Sequence, residues 1–224
     1  MLQPVAILRS PFAEKFGIPR QGNLAPHVIC EIVPEPAFRQ PDCWRGIEHF
    51  SHIWLIWGFH RHEGQGWHPT VRPPRLGGNA RLGVFATRSP FRPNGLGLSV
   101  VKLLSVEAGG VLRVSGADMV DGTPIYDVKP YIPYADSLPE ATGGFTETAP
   151  RRLLEVCIDC SLPKEAGEDW EAALRETLAQ DPRPAYQQDP ERVYHLILKP
   201  FELRFRVAEG AAHVLEIFPL NQHG

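Results

Sequence analysis

An all-β N-terminal domain, a sandwich or barrel, followed by a smaller α+β unit is the fold class this 224-residue sequence predicts, and three observations carry it. From Pro4 to Met119 short apolar runs recur every dozen or so positions with turn chemistry between them, the pattern of a sandwich or barrel. The 23 prolines are about twice the usual share and favour turns and sheet edges over long helices. Clear helical periodicity appears at residues 169–180, in the last third of the chain.

Residues 4–9 and 27–33 are apolar runs bounded by proline, and residues 53–59 are rich in β-branched and aromatic side chains; all three read as strands. Residues 82–87, 98–106 and 111–119 continue the series, with Ala108-Gly109-Gly110 as the hairpin turn between the last two. The first domain is therefore expected to span residues 1–137. Small, polar and acidic residues then run to position 150 as a linker or wrapping loop, opening a second domain at 138–224. That unit starts with a strand at 153–158. A helix at 169–180 follows, carrying Trp170, Ala173, Leu174, Thr177 and Leu178 on one face, Asp169 near its start and Asp181-Pro182 as its stop. Strands at 194–198, 201–207 and 213–218 complete a sheet expected to be antiparallel.

The net charge of −3 argues against a nucleic-acid partner only until its distribution is read. Residues 64–106 carry Arg72, Arg75, Arg81, Arg88, Arg92 and Lys102 and no acid, whereas residues 139–191 carry twelve acids against five bases. The first stretch seeks anions, and its preference for arginine suits the planar recognition of phosphate or carboxylate. No run approaches the ~20 apolar residues of a membrane-spanning helix, and no apolar leader is visible, so the chain reads as cytoplasmic with no membrane partner. Four cysteines are too few for a disulfide scaffold and are expected as reduced, buried thiols. His49, His52, His60, His62 and His68 lack the carboxylates or the H-E-x-x-H spacing of a metal site, and Cys157 and Cys160, three apart, point to opposite faces of a strand; no metal is expected.

The densest motif runs from Gly83 to Ser99, GVFATRSPFRPNGLGLS. Pro90 and Pro93 cannot continue a ladder and instead stiffen a loop, while Gly95 and Gly97 allow close approach of the backbone to another group. Gly95-Leu-Gly97 begins a dinucleotide fingerprint, but Val100 stands at the third glycine and no βαβ unit surrounds it. A second motif, residues 121–137, puts Asp127 and Lys129 on one face, turned inward or toward a partner subunit, or else guarding an exposed edge strand.

These two motifs, with Phe-Gly-Ile-Pro-Arg-Gln at 16–21, VRPPRLGGNAR at 71–81 and DPRPAY at 181–186, resemble the TsaA/TrmO family of tRNA methyltransferases. Asn94-Gly-Leu-Gly97 departs from the family's usual Asn-Pro-Ile-Gly. The resemblance implies a single-sheeted β-barrel without a Rossmann domain, acting as a homodimer. It implies transfer of a methyl group from S-adenosylmethionine to N6 of threonylcarbamoyladenosine at position 37, in the anticodon loop of tRNA. Carried over residue by residue, cofactor contacts fall on Pro19, Arg20, Gln21, His60, Arg61, Arg88, Leu98, Asp121, Gly122, Thr123 and Pro124. The acceptor side takes Arg92, Asn94 and Lys129, and the catalytic set is Tyr186, Asp181 and Arg183: Tyr186 or Asp181, or the substrate's own carboxylate, as base, and Arg183 or Arg92 as the fork for that carboxylate. Trp44, Trp54, Trp57 and Trp67 offer more aromatic surface than a small barrel readily hides, which agrees with a dimer. The competing function is a non-catalytic tRNA-binding barrel in which the arginines only grip phosphates.

Overall fold

The computed structural model describes residues 2–19, 22–73, 76, 80–147, 153–184, 187 and 189–220. Alternation decides the first unit. Along β3 (His52–Gly58) the residues Ile53, Leu55 and Trp57 are buried while Trp54 and Ile56 turn outward. The same period in β1 (Ala6–Arg9), β2 (Ile29–Pro34), β6 (Leu96–Val106) and β7 (Leu112–Ser115) gives each strand one apolar face, and β8 (Pro124–Pro130) completes the set with a bulge. Six strands close in the order β1-β2-β7-β6-β3-β8, with β1 paired to both β2 and β8. Leu8, Ile32, Ile53, Leu55, Val101, Leu112, Val114 and Ile125 fill the interior at 0% exposure, so the barrel is a packed core rather than a channel. A two-stranded ribbon of β4 (Thr70–Val71) and β5 (Leu82–Gly83) stands apart from it.

Several expectations need correction. The run at 82–87 is a strand only at Leu82–Gly83; Val84–Ala86 is a 3-10 turn, closed by Thr87, whose amide and hydroxyl both donate to the Val84 carbonyl. The strand expected at 111–119 ends at Ser115, because Gly116 adopts φ +82°. Asp127 and Lys129 face neither inward nor along a free edge. β8 is paired on both sides, and a bulge that leaves Tyr126 without a β3 partner turns Ile125 into the core, with Asp127 and Lys129 outside, ion-paired to each other at 2.9 Å. Among the cysteines, all free, Cys30 is buried, Cys43 exposed, and Cys157 and Cys160 half-buried. Of the four tryptophans, Trp44 and Trp57 serve the core, whereas Trp54 is half-buried and Trp67 exposed.

Two further short helices, α1 (Pro41–Trp44) and α2 (Pro133–Asp136), precede the second sheet. Its strands are β9 (Glu155–Ile158), β10 (Tyr194–Leu198), β11 (Phe201–Ala208) and β12 (Ala211–Pro219), ordered β10-β11-β12-β9. The expected antiparallel sheet is mixed, since β9 pairs in parallel with β12. The helix α3 (Glu168–Ala179) carries the chain across to β10, and the β10-β11-β12 meander returns it beside β9 in the same direction. As its periodicity requires, α3 buries Ala173, Leu174, Thr177 and Leu178.

One hydrophobic cluster runs through both sheets. The joint is the long β1–β2 connection, in which Phe12 is fully buried and bridges Leu198, and Phe16 stacks against Tyr194 and Phe205 at 6.2 Å each. Burial of one such ring contributes roughly 1.5–3 kcal/mol.

Gly97 is needed by the core itself: a Cβ there would lie 2.3 Å from the buried ring of Trp57. Gly97→Ala is expected to lower unfolding free energy in urea by about 1–3 kcal/mol, the usual cost of overpacking. Gly83→Ala, with open space at its Cβ, serves as the control.

Candidate functional site

With the barrel interior filled, the motif-bearing loops gather at its rim. The loop after Val84 is set by hydroxyl turns and prolines: Ser89 N–H donates to Thr87 Oγ1 (3.3 Å), Phe91 N–H to Ser89 Oγ (3.3 Å), and Arg92 Nη1 to the Thr87 carbonyl (2.9 Å). Arg92 thus spends hydrogen-bonding capacity on its own loop. An aromatic chain ties this loop to the turn at residues 59–62, with Trp57–Phe59, Phe59–His62 and His62–Phe91 in edge contact at 4.5, 6.1 and 5.3 Å. The turn in turn holds the β1–β2 connection, where Arg61 Nη2 donates to the Ala13 carbonyl (3.3 Å) and Lys15 Nζ lies 3.1 Å from His62 Nε2. Burial, and next the Arg61 charge, lower the His60 pKa; burial and the Lys15 charge lower that of His62. Both imidazoles are therefore neutral at pH 7.

The centre of the arrangement is Asp118, which sequence reasoning missed. Its Oδ1 accepts the Ser99 hydroxyl at 2.8 Å, and Ser99 Oγ accepts Trp57 Nε1 at 3.1 Å. Burial raises the carboxyl's pKa, although the Ser99 hydroxyl, the nearby Arg88 charge and the backbone at Gly22 each favour its ionised form. Asn23 N–H donates to the Gly116 carbonyl (3.1 Å), locking the segment after Pro19 onto the Asp118 strand end. Four expected cofactor segments therefore converge on one side chain: the Pro19 loop through Gly22, the Arg88 loop, the strand position beside Leu98, and the turn that runs on to residues 121–124. The available signal was a lone acid closing the apolar run 111–119 in a Gly-Ala-Asp-Met-Val-Asp sequence.

Other expected residues are placed differently. Asp121 is committed to the joint between the sheets, accepting from Ser10 N (2.9 Å) and Lys199 Nζ (2.7 Å). Thr123, buried, donates to the Val120 carbonyl, and Gly122 N–H bonds Leu8 O, so this turn is zipped along β1. Leu98 is 55% exposed on the outer wall, as is the Asp127–Lys129 pair, while Asn94 is exposed at the loop tip. Arg183 forms a two-point ion pair with Asp181, Nε to Oδ1 at 2.8 Å and Nη2 to Oδ2 at 2.9 Å. A hollow of about 170 Å³ between Lys15, Gly17, Ile18, Thr177, Gln180, Asp181 and Pro182 sets the 181–183 turn against the connection that carries Pro19. Arg20, Gln21, Arg75 and Tyr186 lie outside the described residues. Among the described residues no group of three or more His, Cys, Asp or Glu side chains is placed to hold a metal ion.

Chemically, the rim offers a half-buried carboxylate, aromatic edges and rigid loop amides. That donor set fits a small ligand that carries positive charge at one end and a flat ring at the other.

Compared with known proteins, residues 7–137 match the tRNA-methyltransferase O N-terminal domain model and residues 154–220 the TrmO C-terminal domain model. The chain is 41% identical over 228 residues, 97% of each chain, to the tRNA (adenine(37)-N6)-methyltransferase of Escherichia coli strain K12. It is 43% identical, over 86% of each chain, to a Pseudomonas aeruginosa protein named for S-adenosylmethionine-dependent methyl transfer. The crystal structure of TrmO from Pseudomonas aeruginosa superposes with a TM-score of 0.82 at 34% identity, covering 97% of both chains.

The Asp121–Lys199 pair has a defined pH signature. Burial alone would raise the Asp121 pKa, but the hydrogen bonds from Lys199 and Ser10 and the charges of Lys199 and Arg9 outweigh it and hold the carboxyl below its ordinary range. A carboxyl depressed in the folded state contributes stability above the unfolded value of about 3.9 and loses it as pH falls through the folded value. Urea denaturation of wild type and Lys199→Met should therefore show a stability gap that is constant from pH 5 to 7 and closes below about pH 4.

Proposed function

The chain belongs to the tRNA-methyltransferase O family, and from that premise we propose that it methylates N6 of the adenine at position 37 of tRNA, on a nucleoside already bearing the threonylcarbamoyl group. The methyl donor is S-adenosylmethionine. The observation that supports the reading is the meeting at Asp118 of segments expected to contact the cofactor, through Ser99 and the nearby Arg88 and Gly22.

When bound, that donor supplies a methyl group on a positively charged sulfur. The task left to the protein is alignment and dehydration around the sulfur, since in-line transfer depends on placing two reactants rather than on covalent help. Asp118 supplies the negative potential that makes a cation at the rim favourable, and the hydrogen bond it accepts from Ser99 fixes where that potential sits. Arg88 and the Pro19–Gln21 segment take the anionic and polar parts of the ligand.

The acceptor approaches from Arg92, Asn94 and the 181–186 loop. Asp181 and Arg183 act there as a unit: their two-point pair shapes the turn, which assigns them to positioning and leaves contact with N6 to Tyr186. Lys129, paired on the outer wall, stays out of the acceptor set. In this reading residues 1–137 hold the donor and 138–224 present the acceptor loop, and the protein works as a cytoplasmic homodimer, supported by the outward-facing Leu98 and Leu104 of β6. No helix among the described residues is long and apolar enough to cross a membrane.

Isothermal titration should show S-adenosylmethionine binding that is weakened about tenfold or more in Asp118→Asn. S-adenosylhomocysteine, which lacks the sulfonium charge, should lose far less; equal losses would reduce Asp118 to a scaffold. Arg88→Ala should cost about 1.5–3 kcal/mol of donor binding. Arg183→Ala and Asp181→Asn should each lower methylation of modified tRNA with donor affinity unchanged, and the double variant should be no worse than either single one. Light scattering across a concentration series checks the dimer.

A further inference from the structure

Phe85 is 75% exposed, while the rim rings of Trp57, Phe59, His62 and Phe91 pack edge to edge. Its position is not accidental slack. Val84, the preceding residue, is 1% exposed and its amide bonds the Pro69 carbonyl at 3.0 Å, so the 3-10 turn is nailed down and the next side chain must project outward. Arg92 reaches back from the far end of the same loop, held by the Thr87 and Ser89 carbonyls, and places its guanidinium carbon 5.9 Å from the Phe85 ring centre. The ring thus has a fixed cation beside it, and most of its surface is exposed.

The surroundings say what would lie on that exposed surface. Residues 64–106 contain arginines and a lysine but no acid. The neighbouring strip carries a second exposed ring, Trp67 at 54%, one residue before His68, whose amide bonds the Phe91 carbonyl at 3.2 Å. A second copy of this chain would bring the same positive strip against itself across a two-fold axis, which repels. A flat, electron-rich ring attached to phosphates satisfies both features, because unstacked bases of single-stranded loops lie on aromatic and guanidinium planes while arginines take the backbone.

We propose that Phe85, backed by Arg92, is a stacking platform for one unpaired base of the tRNA loop that presents the acceptor. The inference rests on the reading of the protein as a tRNA methyltransferase and adds the residue that orients the loop. The ring serves the RNA and not the methyl donor.

The test uses the full chain and a fluorescently labelled anticodon stem-loop RNA, with binding followed by anisotropy over a salt series, donor binding by titration calorimetry, and mass by sedimentation. Phe85→Ala should weaken RNA binding about tenfold or more, and Phe85→Trp should restore it. The slope of affinity against salt should stay unchanged, since no phosphate contact is lost, and donor affinity should not move. Undiminished RNA binding by a folded Phe85→Ala overturns the platform alone. Loss of RNA binding together with dissociation into monomers overturns it in favour of a protein interface. If the wild-type chain binds the methyl donor but no RNA, the functional reading falls and the platform with it.

Discussion

A six-stranded barrel leaves no room inside once its inward residues are of leucine size, and Leu8, Ile32, Ile53, Leu55, Leu112 and Ile125 fill this one completely. Chemistry is thereby forced onto the rim, where loops must be as rigid as strands to be of use. Each rim loop meets that demand with a different device. Hydroxyl turns and two prolines fix the Arg88 loop, aromatic edges fix the 59–62 turn, and the β1–β2 connection is fixed by rings of the second sheet. Asp118 then sits where these loops meet, accepting the Ser99 hydroxyl with Arg88 and Gly22 close by.

The strands of the barrel were legible because period-two burial writes itself into β1, β2, β3 and β6, and α3 because its apolar face recurs at helical spacing. What escaped was set by partners distant in sequence. The parallel seat of β9 depends on where the meander from Tyr194 to Pro219 ends. The outward turn of Asp127 and Lys129 depends on a bulge against Trp57, which strict alternation does not encode. Gly97 read as a place for a foreign group, and the group it admits is Trp57 of the same chain.

The site was half legible. The long loop motifs pointed to segments that the fold does tie together at one rim, since paired prolines and arginines after a strand have few structural uses. The side chains within them were harder. Asp121, Arg92 and Arg183 are committed by hydrogen bonds to holding the frame, and no composition rule separates a frame arginine from one held for a ligand. Asp118, by contrast, stands alone in sequence and matters only because Ser99, Gly22 and Arg88 arrive around it.

The stacking of Phe16 on Tyr194 and Phe205 has a consequence for the order in which the molecule is made. The connection that carries Pro19 leaves the ribosome nearly 180 residues before the rings that hold it, Phe16 against Tyr194. Strand β1 likewise waits for β8 before the barrel can close. The emerging chain has no finished rim until the second sheet has been made, so capacity for the methyl donor comes late, after most of the barrel strands already have their neighbours.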